Sequence, residues 1–305
     1  MTHTHDPPDP AGDAGLTRRR VVAATAVGAG LHAGGSRATG PRVLRCYPTG
    51  PIYDYRWQLL REVLARGGPL AASHRMEPYP EEVTQNRGIA LLEAGAIDVI
   101  ALGTNAEREA RLLPIREDIL RGMVGLRVFI IRKVDEARFA ALTEAALRRD
   151  VTFGLNSQWS DVPVLRENGF RVVTSLGYEN LFEMLAAGRF DAFPRGLNEA
   201  RRELAERTAG GGLVVERTLA LYFPFPIYFW VRKGDDTLAG DIARGLAASL
   251  RDGAFRRLFE AHHAEDIAEM KATRRRVIRL RSPILPPGSP AVDTGWWWPA
   301  SRRGS

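Results

Sequence analysis

The sequence predicts an α/β chain folded as two similar lobes, and a short pattern that occurs twice is the first reason. Residues 92–100 read Leu-Glu-Ala-Gly-Ala-Ile-Asp-Val-Ile, and residues 185–193 read Leu-Ala-Ala-Gly-Arg-Phe-Asp-Ala-Phe. Both have the skeleton Leu-x-Ala-Gly-x-apolar-Asp-small-apolar, 93 positions apart. Each follows a helix-period stretch and leads into a short apolar run, so Gly95 and Gly188 should supply the left-handed residue just past a helix end. The second reason is the regular alternation of strand-like and helix-like segments along the chain. The third is Phe225–Val231, a run without polar alternation that should be a strand buried on both faces. Two lobes about one small domain apart imply a cleft between them, where small ligands usually bind.

The elements follow in order. Val43–Tyr47 is a short apolar strand, and Tyr53–Arg66 is a helix with Trp57, Leu60 and Leu64 on its inner face. Leu70–Ser73 suits a strand, Glu81–Leu92 a helix and Ile97–Leu102 a strand. Thr104 or Asn105 caps the next helix, with Glu107 at capping-box distance from Thr104. Leu126–Ile131 is strongly β-prone and opens the second lobe. From there the chain reads as strand 151–155, helix 161–168, strand 170–173, helix 178–187, strand 190–193 and helix 197–208. Gly210, Gly211 and Gly212 interrupt the pattern before Leu213–Tyr222 leads back. Helices at Leu238–Leu250 and Ala254–Ala264 follow the buried strand, and the proline-rich stretch from Ser282 to Pro290 excludes regular structure.

The N-terminus predicts export. Arg18, Arg19 and Arg20 precede a mildly apolar Ala/Gly/Val run reaching about Gly35, with Ser36 and Ala38 at the −3 and −1 places of a cleavage site. Paired arginines before a weakly apolar core look like a twin-arginine signal. The run is too short and too rich in glycine for a good membrane span. The reading is a protein released to the periplasm by cleavage near Ala38. Cys46 is the sole cysteine, so no intramolecular disulfide forms. It also lacks the preceding small residues of a lipid-anchoring site and should pack at the end of the first strand.

The chain has 305 residues and a net charge of +7. The export segment holds four arginines and three aspartates, so the remainder keeps +6, partly in Lys271–Arg281 and in Arg302 and Arg303. No recognition-helix pattern, zinc spacing or RNA-binding signature accompanies this charge, which argues against a nucleic-acid binder. His262 and His263 are adjacent and point about 100° apart on a helix, a poor geometry for sharing a metal. No nucleophile–histidine set or glycine-rich phosphate loop is present, so no cofactor, metal or catalytic residue is expected. Asp98 and Asp191 are better explained as strand-start residues than as acid–base pairs.

The segments Leu92–Ile100, Thr104–Arg108, Phe153–Ser160, Tyr178–Phe193 and Phe229–Phe259 together resemble a family 3 extracellular solute-binding protein, over nearly all of the exported chain. The 190–196 stretch Phe-Asp-Ala-Phe-Pro-Arg-Gly, the run Leu221–Phe229 and the Ile284-Leu-Pro-Pro tail with its tryptophan-rich end resemble one subgroup within it. The resemblance implies the two-lobed type II periplasmic-binding-protein fold, each lobe with a mixed sheet and a ligand cleft between. Lobe 1 would be discontinuous, 39–122 with 222–305, and lobe 2 would be 123–221. The implied function is capture of a small polar ligand, anionic or amino-acid-like, by a monomer that serves an ABC-type importer. The alternatives are a ligand sensor or a dehydratase-like periplasmic enzyme on the same fold.

In amino-acid-binding relatives an arginine on the helix after the third strand grips the α-carboxylate, and Arg108 stands in that place. A planar guanidinium suits this because it meets a carboxylate bidentately. Gly103 falls where a serine often sits, leaving Thr104 to substitute or to cap the helix. Relatives carry an ammonium-binding aspartate five residues after the Asp of the strand, but here that position is Gly196, beside Arg195. If Arg195 faces the cleft, two arginines favour an anionic ligand; on an edge it is merely solvated. Asn156 and Ser157 precede a helix start that could receive an anion, unless Ser160 or Asp161 is simply its cap. Trp159 is a cleft wall or a core residue, and Tyr47 the best aromatic platform over the ligand. Trp296–Trp298 should clamp the tail onto lobe 1.

Overall fold

The computed structural model describes residues 42–68, 74–207 and 212–298. The expected export segment and cleavage near Ala38, the expected strand Leu70–Ser73, and Gly210 and Gly211 lie outside the described residues.

The first sheet holds β1 (Arg42–Tyr47), β2 (His74–Pro78), β3 (Val99–Gly103), β4 (Leu112–Ile115) and β11 (Ile227–Arg232), in the order β2-β1-β3-β11-β4. The second holds β5 (Leu126–Arg132), β6 (Thr152–Asn156), β7 (Arg171–Ser175), β8 (Ala192–Gly196), β10 (Leu219–Tyr222) and β12 (Arg276–Arg279), in the order β12-β10-β5-β8-β6-β7. A short β9 (Leu213–Val215) shares an edge of β5 with β10. Each sheet repeats one plan. Three parallel strands lie in the order 2-1-3 or 7-6-8, and an antiparallel strand closes beside the last, β11 on β3 and β5 on β8.

The two copies of the nine-residue pattern are the joints of that plan. The helix α2 (Gln85–Glu93) ends before Gly95 at φ 76°, and α7 (Tyr178–Ala186) ends before Gly188 at φ 71°, conformations that favour glycine. The next amide returns to the helix in both, Ala96 N to Leu91 O and Arg189 N to Met184 O. The strands begin two residues later than the sequence suggests, because the Asp of each pattern ties down its neighbour first. Asp98 exchanges bonds with Arg45, and Asp191 does the same with Thr152; each carboxylate accepts the partner's amide at 2.8 Å.

Helices α1 (Asp54–Leu64), α9 (Asp236–Arg251) and α10 (Ala254–His262) form one packed layer on the first lobe. The remaining helices are α3 (Ala106–Arg111), α4 (Glu136–Ala140), α5 (Glu144–Asp150), α6 (Asp161–Glu167), α8 (Leu197–Ala205) and α11 (Ala264–Ala272). β11 is buried from Ile227 to Val231 as its unbroken apolar run predicts, with Trp230 donating its indole N–H to Leu102 O at 2.9 Å.

One boundary differs from expectation. The segment after 222 does not belong wholly to the first lobe: β12 joins the second sheet beside β10. The run Arg276–Arg279 sets Val277 and Ile278 between two exposed arginines, which suits a short edge strand, Ile278 being buried. Two of the tryptophans anchor the tail at the first lobe, while Trp298 packs on Tyr222 and Arg279 of the second sheet. Trp296 packs edge-on against Phe255 and Phe259, and Trp297 donates to Arg121 O at 2.7 Å.

Candidate functional site

The carboxyl ends of β1, β3 and β8 meet at one cleft, the usual ligand position in open α/β sheets. It is lined from the first lobe by Tyr47, Tyr53, Arg56, Gln85, Gly103 and Arg108. The second lobe contributes Arg127, Trp159, Asp161, Arg195 and Glu199, with Phe225 between them on the returning crossover. The lobes touch across it: Asn105 Nδ2 donates to Ser160 Oγ at 3.3 Å. The innermost part of the cleft holds about 80 Å³, and past Tyr47, Trp159 and Arg195 a wider space of about 650 Å³ adjoins it.

Arg108 lies in the cleft, 5% exposed. The N-cap of its helix is Asn105, whose Oδ1 accepts Arg108 N at 2.8 Å; Thr104 instead donates its hydroxyl to Glu109 at 3.0 Å. Thr104 is therefore a buried structural residue and not part of the cleft lining, and the Thr104–Glu107 capping box does not form. The Arg108 side chain donates to Gly103 O at 2.6 Å and to Gln85 Oε1 at 3.0 Å, two neutral oxygens. Burial pushes its pKa down to about 10. Arg56 is similar: it donates to Ala101 O at 2.8 Å, stacks over Tyr53, and is lowered by burial. Gly103 has no room for a hydroxyl-bearing side chain, since a Cβ there would lie 2.3 Å from Phe225 Cζ.

Arg195 is buried and faces the cleft, but it is already committed. It meets Glu203 with two bonds of 2.7 and 2.5 Å and Glu199 at 3.0 Å, and its guanidinium lies 4.4 Å over the Trp159 ring. Arg127 meets Asp161 at 2.7 Å and Glu199 at 3.6 Å. Burial works against the ionised forms of Arg195 and Glu199. The opposite charges outweigh it, holding Arg195 well above and Glu199 below their ordinary values. Burial does prevail at Asp161, whose pKa is raised.

The segment 156–161 divides its candidates. Asn156 lines the outer part of the cleft with Tyr47 and Trp159, while donating to Leu176 O at 2.7 Å and accepting Gln158 N at 2.9 Å. Ser157 is exposed and outside the cleft, its amide spent on Ser175 O. The Gln158 and Trp159 amides are likewise spent, on Asn156 Oδ1 and Asn156 O. Ser160 occupies the cap position of α6 without a side-chain cap bond, its hydroxyl reaching across the cleft instead. Trp159 is a cleft wall that also stacks on Phe193, at 5.9 Å between rings. Tyr47 lines the cleft while its hydroxyl donates to Val83 O at 2.6 Å, and Trp57 is core.

Arg56, Arg127, Glu199 and Glu203 escaped the sequence reading, though two signals were present. Arg127 interrupts an otherwise apolar strand, and Arg195, Glu199 and Glu203 are spaced by fours. His262 and His263 lie apart from the cleft lining, paired with Arg202 and Asp266 respectively. Among the described residues no helix is long and apolar enough to cross a membrane.

No protein-family model and no curated protein matches the chain. Solved structures do. A mutant of ArgBP from T. maritima is 20% identical with a TM-score of 0.53, covering 74% of this chain and 96% of that one. A periplasmic His/Glu/Gln/Arg/opine family-binding protein from Silicibacter pomeroyi, in complex with lysine, is 15% identical with a TM-score of 0.56, covering 74% and 98%. An amino acid ABC transporter substrate-binding protein from Streptococcus pneumoniae, bound to L-arginine, is 14% identical with a TM-score of 0.52, covering 74% and 94%. The fold is the two-lobed type II periplasmic-binding fold of these proteins.

Proposed function

We propose that the chain is an extracytoplasmic solute-binding protein of the family 3 type, not an enzyme, that captures a small anionic ligand between its lobes and delivers it to an ABC-type permease. The observation that carries the ligand class is the charge arrangement of the cleft. In the innermost part of the cleft Arg56, Arg108, Arg127 and Arg195 face Asp161, Glu199 and the adjoining Glu203, leaving one guanidinium in excess there. Arg127 and Arg195 take up the carboxylates, so the excess falls on Arg108 and Arg56, whose direct partners are neutral oxygens.

A buried cation without a counter-ion is costly, and a ligand carboxylate removes that cost with charge-assisted bonds. Arg108 is the ligand's anchor in this reading, with Tyr47, Trp159 and Gln85 shaping the site. A zwitterionic amino acid fits less well, because the carboxylates of the innermost lining, Asp161 and Glu199, are both held by arginines. The segment 1–38 supplies the export signal and 39–305 the working protein. A thermal-shift panel of amino acids, monocarboxylates and dicarboxylates tests the reading. Stabilisation by carboxylates at micromolar concentration supports it; stabilisation by ordinary amino acids alone, or by nothing in the panel, counts against it.

A further inference from the structure

Glu203 and Glu199 lie one helical turn apart on α8, 1% and 6% exposed, and both converge on a single guanidinium. That guanidinium is flanked by aromatic rings, Trp159 at 4.4 Å, Phe193 at 5.4 Å and Tyr178 at 5.8 Å from its central carbon. A planar cation held edge-on by carboxylates and face-on by an indole is the arrangement by which proteins recognise guanidinium and ammonium ligands. Here the occupant is the chain's own Arg195, delivered from the last turnward positions of β8.

We propose that Arg195 determines the specificity of the cleft by filling, from within the chain, a cation subsite built by Glu203, Glu199, Trp159 and Tyr178. The inference deepens the reading of the cleft as an anion site and rests on it for its biological sense. A side chain already oriented in the subsite competes at high effective concentration, so a ligand's own ammonium or guanidinium group must displace it to find a partner. Specificity then comes from exclusion as much as from attraction: Arg108 accepts the anion and Arg195 refuses the cation. Removing the guanidinium should therefore unmask a site for one.

The test uses the full chain with Arg195→Ala and methylguanidinium chloride as the probe, at ionic strength held constant with sodium chloride. The variant should show a saturable rise in melting temperature with a dissociation constant in the millimolar range. The unaltered protein should respond at least tenfold more weakly, and R195A combined with E203A should not respond. Equal responses in all three, or none in R195A, overturn the proposal. Should R195A not fold unaided, refolding from urea with and without methylguanidinium is the readout. Recovery of native tryptophan fluorescence only with the probe supports the proposal, and no recovery overturns it. These outcomes are independent of the carboxylate panel on the unaltered protein, whose failure bears on the proposed ligand and not on the subsite.

Discussion

Asp118 Oδ1 accepts the amide of Ile227 at 3.1 Å, binding the chain as it leaves the first lobe to the chain as it returns. The same carboxylate accepts Leu120 N at 3.1 Å and Gly122 N at 2.6 Å, and Ile119 N donates to Ile227 O at 3.0 Å. Two crossovers thus share one buried acceptor. A bend at either must keep these bonds or break several at once, which makes this knot the fixed part of any hinge.

Burial pushes Asp118 up to about 6, despite the three amide bonds and Arg121. The folded chain therefore keeps a proton that the unfolded chain has lost between about pH 4 and 6. In that window the native state binds more protons, so the contribution of Asp118 to stability is full below the unfolded value and falls as pH rises through 6. Urea unfolding of the unaltered protein and D118N at pH 4, 5, 6 and 7 should show their stability difference shrinking by roughly 2–3 kcal/mol over the series. A difference that stays constant with pH would count against this account.

The two cleft arginines should behave in opposite ways when made apolar. Arg108→Met removes a buried charge with neutral partners, so melting temperature should stay within a few degrees while ligand-induced stabilisation disappears. Arg195→Met strands Glu203 and Glu199 in the interior and should cost about 3–5 kcal/mol of stability. Thermal unfolding of both variants, with and without the best carboxylate of the panel, separates the two roles. Similar losses of stability in both would contradict the assignment of Arg108 to the ligand.

Much of the fold was legible because it is written in local chemistry. Gly95 and Gly188 with Asp98 and Asp191 announced the helix–strand joints, and the unbroken apolar run of β11 announced its burial. β4 and β12 were not legible, the first being four residues that include Pro114 and the second an arginine-rich edge. In the site, Arg108 came from the family resemblance and Trp159 was open between cleft wall and core; both line the cleft. Thr104 and Ser157 lie outside the cleft lining because each has a nearer partner, the Thr104 hydroxyl on Glu109 and the Ser157 amide on Ser175 O. The pairing of Arg195 with Glu203 is a tertiary fact of a strand and a helix folding back on each other, and only their spacing hinted at it.

Export should depend on the paired arginines. The motivating feature is Arg18–Arg20 before the Ala/Gly/Val run. Replacing Arg18 and Arg19 with lysine should leave the protein in the cytoplasm at precursor length, as read by fractionation and intact mass. An unchanged periplasmic yield would remove the twin-arginine route.

The bond from Asn105 to Ser160 is the place to ask whether the lobes move. It spans the cleft at 3.3 Å, beside an inner cavity of about 80 Å³. Ser160→Ala removes the bond without touching the helix cap that Asn105 provides to Arg108. A single neutral hydrogen bond contributes about 0.5–1.5 kcal/mol, so ligand affinity should fall roughly 2- to 10-fold in S160A. Small-angle scattering should show a larger radius of gyration for the free protein than for the carboxylate-saturated one, because closing two lobes about paired crossovers compacts the molecule. S160A should shift the free protein further toward the larger value. If free and saturated forms scatter alike and S160A binds normally, the cleft is rigid and the Asn105–Ser160 bond is a structural brace.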